Sequence, residues 1–141
     1  MSPGHPLRPS LVGAVAVGGA VGALLRYALT VAFPDPSDGF PWTIFAINVL
    51  GCAVLATLPA IPVLRRHAVL PPLLGPGVLG GFTTLSTFAE QARALVARGH
   101  VVTASAYVVG SVAAGLFAVA LADRLGTAVA RHAFGDEAGD R

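Results

Sequence analysis

Four long apolar runs separated by short polar gaps dominate the chain. The first covers residues 11–33 and holds one charge, Arg26. The others, at 40–64, 68–89 and 101–122, hold none. A bilayer core is crossed by about 20 apolar residues of helix, and each run meets that length. The gaps carry the punctuation of loops: Pro34-Asp35-Pro36-Ser37-Asp38-Gly39, then Arg65-Arg66-His67, then Arg93, Arg98, Gly99 and His100. With their flanking residues the predicted spans are 11–33, 40–64, 68–97 and 101–125, followed by a short polar tail at 131–141. The expected fold is all-α, with four transmembrane helices in a single domain over 1–141. Arg8 before the first run resembles the start of a signal peptide, but the run exceeds the usual h-region of about 7–15 residues. Three further runs make the protein integral to a membrane in either case.

Composition agrees with the pattern. Of 141 residues, 55% are hydrophobic and 11% charged, where soluble domains carry about 25% charged residues. Mean hydropathy is +0.75. These values exclude a disordered chain, a nucleic-acid binder and a typical cytosolic enzyme. The net charge of +2 is too small to argue for a polyanionic partner, and all nine basic residues are arginine. Four crossings put both termini on one side. Arg8, Arg65, Arg66, Arg124, Arg131 and Arg141 fall on that side; Arg93 and Arg98 fall opposite, with Arg26 near them inside the first span. The positive-inside rule then predicts cytoplasmic termini; the expected location of this multi-pass protein is the inner (plasma) membrane.

Polar residues and breaks inside apolar spans need a reason, because lipid offers their dipoles no partner. Gly18 and Gly22 form a Gly-x-x-x-Gly face for close helix packing. Arg26 can snorkel, pair structurally or raise anion concentration at a vestibule. Asn48 can bridge two helices or donate to an anion. In the third run, Gly75, Pro76, Gly77, Gly80 and Gly81 precede Thr83, Thr84, Ser86 and Thr87, which predicts a Gly-rich break in the helix. Carbonyls freed there suit a cation such as Na⁺, a half-helix N-terminus suits an anion, and a kink with no ion is the third option. Tyr107, Ser111 and Gly115 share one face of the fourth span. Cys52 is alone, so a disulfide within the chain is excluded, and it reads as a packing residue. His5, His67, His100 and His132 lie outside the apolar cores and read as surface residues. No span carries a central carboxylate; Glu90 sits at the far end of the third. Nothing has the spacing of a catalytic pair, a phosphate loop or a metal cluster, so no enzyme is predicted.

These residues resemble the small fluoride channels of the Fluc or CrcB family, over about residues 11–125. The resemblance is carried by Gly18-Gly19-Ala20-Val21-Gly22-Ala23-Leu24-Leu25-Arg26-Tyr27, by Asn48 with Gly51, by Gly80-Gly81-Phe82-Thr83-Thr84-Leu85-Ser86-Thr87-Phe88, and by Tyr107 with Ser111. It implies an antiparallel dimer of four-helix subunits that passively exports cytoplasmic fluoride through two pores. It also implies a structural, non-transported Na⁺ at the dimer centre, held by backbone carbonyls of Gly80 and Thr83. The fluoride pore would involve Asn48, Leu85, Ser86, Thr87, Phe88, Tyr107 and Ser111, with Arg26 at the vestibule. Hydroxyl and amide donors there can replace the water around fluoride, and the positive ring edge of Phe88 can face an anion. Three positions depart from the family pattern: Leu85 stands for a phenylalanine, Ile44 for a frequent threonine and Gln91 for a frequent glutamate. Leu85, with the arginine bias, raises the alternative of one subunit in a heterodimer with a paralogue. A four-helix small-molecule exporter is a further alternative, opposed by the missing intramembrane carboxylate. The expected partners are fluoride, lipid and a second subunit, with no nucleic acid.

Overall fold

The computed structural model describes the backbone of residues 8–139 and the side chains of 8–64 and 66–126. His5 and Arg141 lie outside the described residues, as do the side chains of Arg65, Arg131 and His132. In chain order the helices are α1 (Pro9–Ala32), α2 (Trp42–Thr57), α3 (Pro62–Arg65), α4 (Leu70–Pro72), α5 (Gly80–Phe82), α6 (Leu85–Ala97) and α7 (Val101–Gly139). A 3-10 turn follows α2 at Leu58–Ala60, and a π-helical segment joins α4 to α5 at Leu73–Leu79. No strand occurs among the described residues.

Three helical stretches are long and apolar enough to cross a membrane: Pro9–Ala32, Trp42–Ala60 and Val101–Gly126. The protein is therefore a multi-pass membrane protein by the length and composition of its helices. Pro9 sits in the first turn of α1, where a missing N–H costs nothing. Pro59 lies in the 3-10 turn and Pro62 opens α3, so the run expected at 40–64 is a helix that tightens after Thr57 and ends at Ala60, with the short α3 following extended Ile61. α7 continues to Gly139, through most of the stretch expected as a polar tail.

The third run is built from pieces. Pro76 removes one N–H and its ring would crowd the carbonyl four residues back in an α-helix. The segment Leu73–Leu79 widens to the i→i+5 pattern instead, and the Gly80 amide reaches the Gly75 carbonyl. The glycines and Pro76 thus widen the helix rather than interrupt it. The interruption falls just after them, where Thr83 (φ −76°, ψ 158°) and Thr84 (φ −148°, ψ 122°) leave helical conformation.

α1 packs along Leu73–Leu79 and α5, backbone against backbone. A Cβ on Gly18 would collide with the Leu73 carbonyl, one on Gly22 with the Val78 carbonyl, and one on Gly81 with the Gly19 carbonyl. Gly77 closes the seam, its Cβ position lying 3.2 Å from Gly18 Cα. Two four-residue glycine spacings, 18/22 and 77/81, therefore face each other, the arrangement that lets membrane helices approach most closely. On the opposite side α2 runs alongside α7, and Ile44, Ile47, Phe82 and Tyr107 form the buried cluster, flanked by Phe40, Phe45 and Phe88.

Polar contacts tie the loop after α1 to the turn before α7. Asp38 accepts Arg98 Nε at 3.2 Å and lies 3.6 Å from His100 Nε2, and Arg98 also donates to the Ser37 carbonyl. Far along both helices, Gly126 lies beside Ala60, so α2 and α7 run in the same direction.

Candidate functional site

A helix interrupted among apolar neighbours strands backbone dipoles, and each needs a partner. Asn48 on α2 supplies one for the interruption. Its Oδ1 accepts the Thr84 N–H at 2.9 Å, and its Nδ2 donates to the Thr84 carbonyl at 3.0 Å. The side-chain amide thus replaces the peptide group that an unbroken helix would have offered. Gly51 lets α2 come this close, because a Cβ there would strike the methyl of Thr83. The bridging reading of Asn48 is realised, and one of its two N–H donors remains beyond the bond to Thr84.

Thr84 is the pivot. Its buried hydroxyl caps α6 by accepting the Thr87 N–H at 3.1 Å, and it lies 3.1 Å from Thr87 Oγ1 and 3.2 Å from Ser86 Oγ. Two donors are diverted by these contacts. In a continuous helix the Thr84 N–H would reach the Gly80 carbonyl, but it goes to Asn48. The Thr87 N–H would reach the Thr83 carbonyl, but it goes to the Thr84 hydroxyl. The Thr83 N–H and hydroxyl both donate to the Leu79 carbonyl at 3.0 Å. Arg26 reaches the same region from α1, its Nε donating to the Gly81 carbonyl at 3.3 Å. Its structural pairing, one of the options at the sequence level, is therefore present.

A groove of about 580 Å³ opens beside the interruption. It brings together Asn48, Gly80, Thr83, Leu85, Phe88 and Ser111 of the predicted residues. Ser111 Oγ is buried with no hydrogen-bond partner. Leu85 is 79% exposed and stands at the groove with nothing packed over it. Ser86, Thr87, Tyr107 and Arg26 do not line this groove. Ser86 is exposed. Tyr107 is fully buried, its ring against Phe88 (centroids 4.9 Å apart) and Phe40 (5.4 Å), and its hydroxyl donates to Gln91 Oε1 at 2.9 Å. No group of three or more His, Cys, Asp or Glu side chains converges among the described residues.

The family model described as CrcB-like protein, Camphor Resistance (CrcB), matches residues 13–123. The chain belongs to the CrcB family. Relatives agree along most of its length. It is 45% identical over 114 residues to the fluoride-specific ion channel FluC 1 of Streptomyces coelicolor, covering 79% of this chain and 74% of that protein. It is 40% identical over 132 residues to the fluoride-specific ion channel FluC 2 of Nocardia farcinica, covering 92% and 91%. With FluC 1 of Mycobacterium bovis it shares 41% over 123 residues.

Within this CrcB chain, sequence reasoning missed two residues. Thr84 stands in the sequence as one hydroxyl among several, although its place directly before α6, three residues ahead of Thr87, has the spacing of an N-cap. Asp35 stands in the sequence only as loop punctuation. Its Oδ1 accepts the Thr43 N–H at the start of α2 at 2.9 Å, and its Oδ2 lies 3.4 Å from Gln91 Nε2. An aspartate near a helix start signals capping, but nothing local signals Gln91, 56 positions away.

Proposed function

We propose that this chain is a subunit of a fluoride channel that lowers cytoplasmic fluoride by passive export across the plasma membrane. The relatives are named fluoride-specific ion channels, and the groove has chemistry suited to that ion. Fluoride is small and strongly hydrated, so a pore must offer donors in place of water. The observation that carries the reading is the Ser111 hydroxyl, buried and unpartnered in the same groove as Asn48 and Phe88. Buried polar atoms in proteins are nearly always satisfied, so one left open beside further donors supports a bound anion there. Phe88 adds the positive edge of its ring.

In this reading residues 1–141 form one transmembrane domain, and the segment from α4 through α6 makes the remaining crossing. Two observations support it: α1 runs alongside that segment, and the turn after α6 meets the loop after α1. Both termini then share one side, the cytoplasmic side by arginine distribution. The exposed edge at Gly80, Leu85 and Ser86 is where a second, antiparallel subunit covers the groove and completes the pores. The carbonyls of Gly80 and Thr83 fit a structural Na⁺ there, because the donors that a helix would have given them point elsewhere. Such an ion would offset the cost of bringing an anion into low dielectric nearby. A second reading, that the chain works as one half of a heterodimer with a paralogue, is favoured by Leu85, which has no ring edge to present.

Fluoride efflux from liposomes containing the purified chain, followed with a fluoride electrode, tests the reading. Selective efflux is expected, slowed by Ser111→Ala and lost when Na⁺ is replaced by a bulky cation. Equal efflux of chloride would overturn it. Efflux that appears only with a paralogue present selects the heterodimer. Leu85→Phe is expected to raise efflux by the lone chain without changing its stability, since the side chain is exposed.

A further inference from the structure

The loop carboxylate of Asp35 is joined to the buried tyrosine of α7 by a continuous hydrogen-bond chain. The Thr43 N–H donates to Asp35 Oδ1 at 2.9 Å, Gln91 Nε2 lies 3.4 Å from Asp35 Oδ2, and the Tyr107 hydroxyl donates to Gln91 Oε1 at 2.9 Å. Polarity in such a chain is set at its ends. A carboxylate only accepts, and a backbone N–H only donates. Asp35, pinned by the Thr43 amide, therefore demands the NH₂ end of the Gln91 side chain. That leaves Gln91 Oε1 toward Tyr107, and a carbonyl oxygen obliges the tyrosine to donate. Tyr107 is fully buried and its ring lies against Phe88, which lines the groove.

We infer that Asp35 is a positioning residue: through Gln91 it holds the Tyr107 hydroxyl as a donor and so fixes the ring that backs Phe88 at the groove. The inference rests on the channel reading above for its effect on transport, but not for the hydrogen-bond geometry itself. Held by Gln91, the hydroxyl keeps the Tyr107 ring in place behind Phe88, and Phe88 lines the groove. The glutamine at 91 is what makes this control possible, because an amide can be turned end for end.

Asp35→Asn tests the inference with almost no change of shape. Its Oδ1 still accepts the Thr43 amide, but its NH₂ group now faces Gln91. Gln91 must then present Oε1 to residue 35 and Nε2 to Tyr107, which releases the tyrosine proton. Adding Gln91→Glu to that variant restores a carboxylate oxygen toward Tyr107 and recovers the parent's formal charge. Tyr27 and Tyr107 are the chain's two tyrosines, so Tyr27→Phe isolates the signal. The vibrational C–O band of Tyr107 is expected to change from donor type to acceptor type in Asp35→Asn and to return in the double variant. Fluoride efflux is expected to fall several-fold in the single variant and recover in the double one. An unchanged band in Asp35→Asn, or a shift that Gln91→Glu does not reverse, overturns the inference. If the parent carries no fluoride at all, the channel reading fails while the band still decides the role of Asp35.

Discussion

The interrupted segment from α4 to α6 meets its two neighbours by opposite means. Against α1 there are almost no side chains: Gly18, Gly22, Gly77 and Gly81 bring backbone onto backbone, and Arg26 adds one hydrogen bond to the Gly81 carbonyl. Against α2 and α7 the contact is made by side chains, with Asn48 bonded twice to Thr84 and Tyr107 bonded to Gln91. In lipid, helices gain little from burying apolar surface on one another, so shape and hydrogen bonding must do the work. The glycine seam uses shape and fixes where the segment lies. The polar side uses hydrogen bonds and fixes which backbone groups remain open. Chemistry needs the second, and the second needs the first to hold the segment still.

Substitutions separate the two sides. The largest effect is expected from Gly22→Leu, because its side chain would meet backbone that cannot move aside. Ordinary overpacking costs about 1–3 kcal/mol, but here even the Cβ collides with the backbone of Val78 and Phe82, so the two helices cannot stay packed and loss of monodisperse protein on size exclusion is expected. Next is Asn48→Ala, which strands the N–H and carbonyl of Thr84 together. Each unsatisfied buried group costs roughly 1–3 kcal/mol, so thermal unfolding in detergent is expected to move markedly lower and fluoride efflux to disappear. Thr84→Val removes a cap but spares the Asn48 bonds; about 1 kcal/mol is expected, with partial rescue by Thr84→Ser. The smallest effect is expected at the exposed pair Arg93–Glu90 (2.7 Å), whose partners both lie on α6. Arg93→Gln should leave both unfolding temperature and efflux unchanged, as surface ion pairs usually do. If Gly22→Leu proved milder than Asn48→Ala, the division of labour between the two sides would be wrong.

How far the sequence reached follows the same division. α1, α2 and α7 are legible because apolar length is a local property, and the Gly18/Gly22 face is legible because its spacing is. The site of the interruption is not. Glycine and proline weaken an α-helix, but a wider helix accommodates both, and the chain leaves the helix at Thr83 and Thr84 because Asn48 and the Thr84 hydroxyl capture the next donors. That choice depends on a partner 36 positions away. Asp35 was hidden for the same reason. Asn48, Phe88 and Ser111 were found as a set through resemblance, since no periodicity links residues on three separate helices.

The two hydrogen bonds between Asn48 and Thr84 have a consequence on the clock of hydrogen exchange. An amide outside any helix normally trades its proton with solvent through small local openings. The Thr84 amide belongs to no helix, yet it is held by a side chain of α2, so it opens only when α2 and the broken segment part. Its exchange should therefore be as slow as that of the helices around it. The place where the chain is interrupted is thus a fixed joint rather than a hinge.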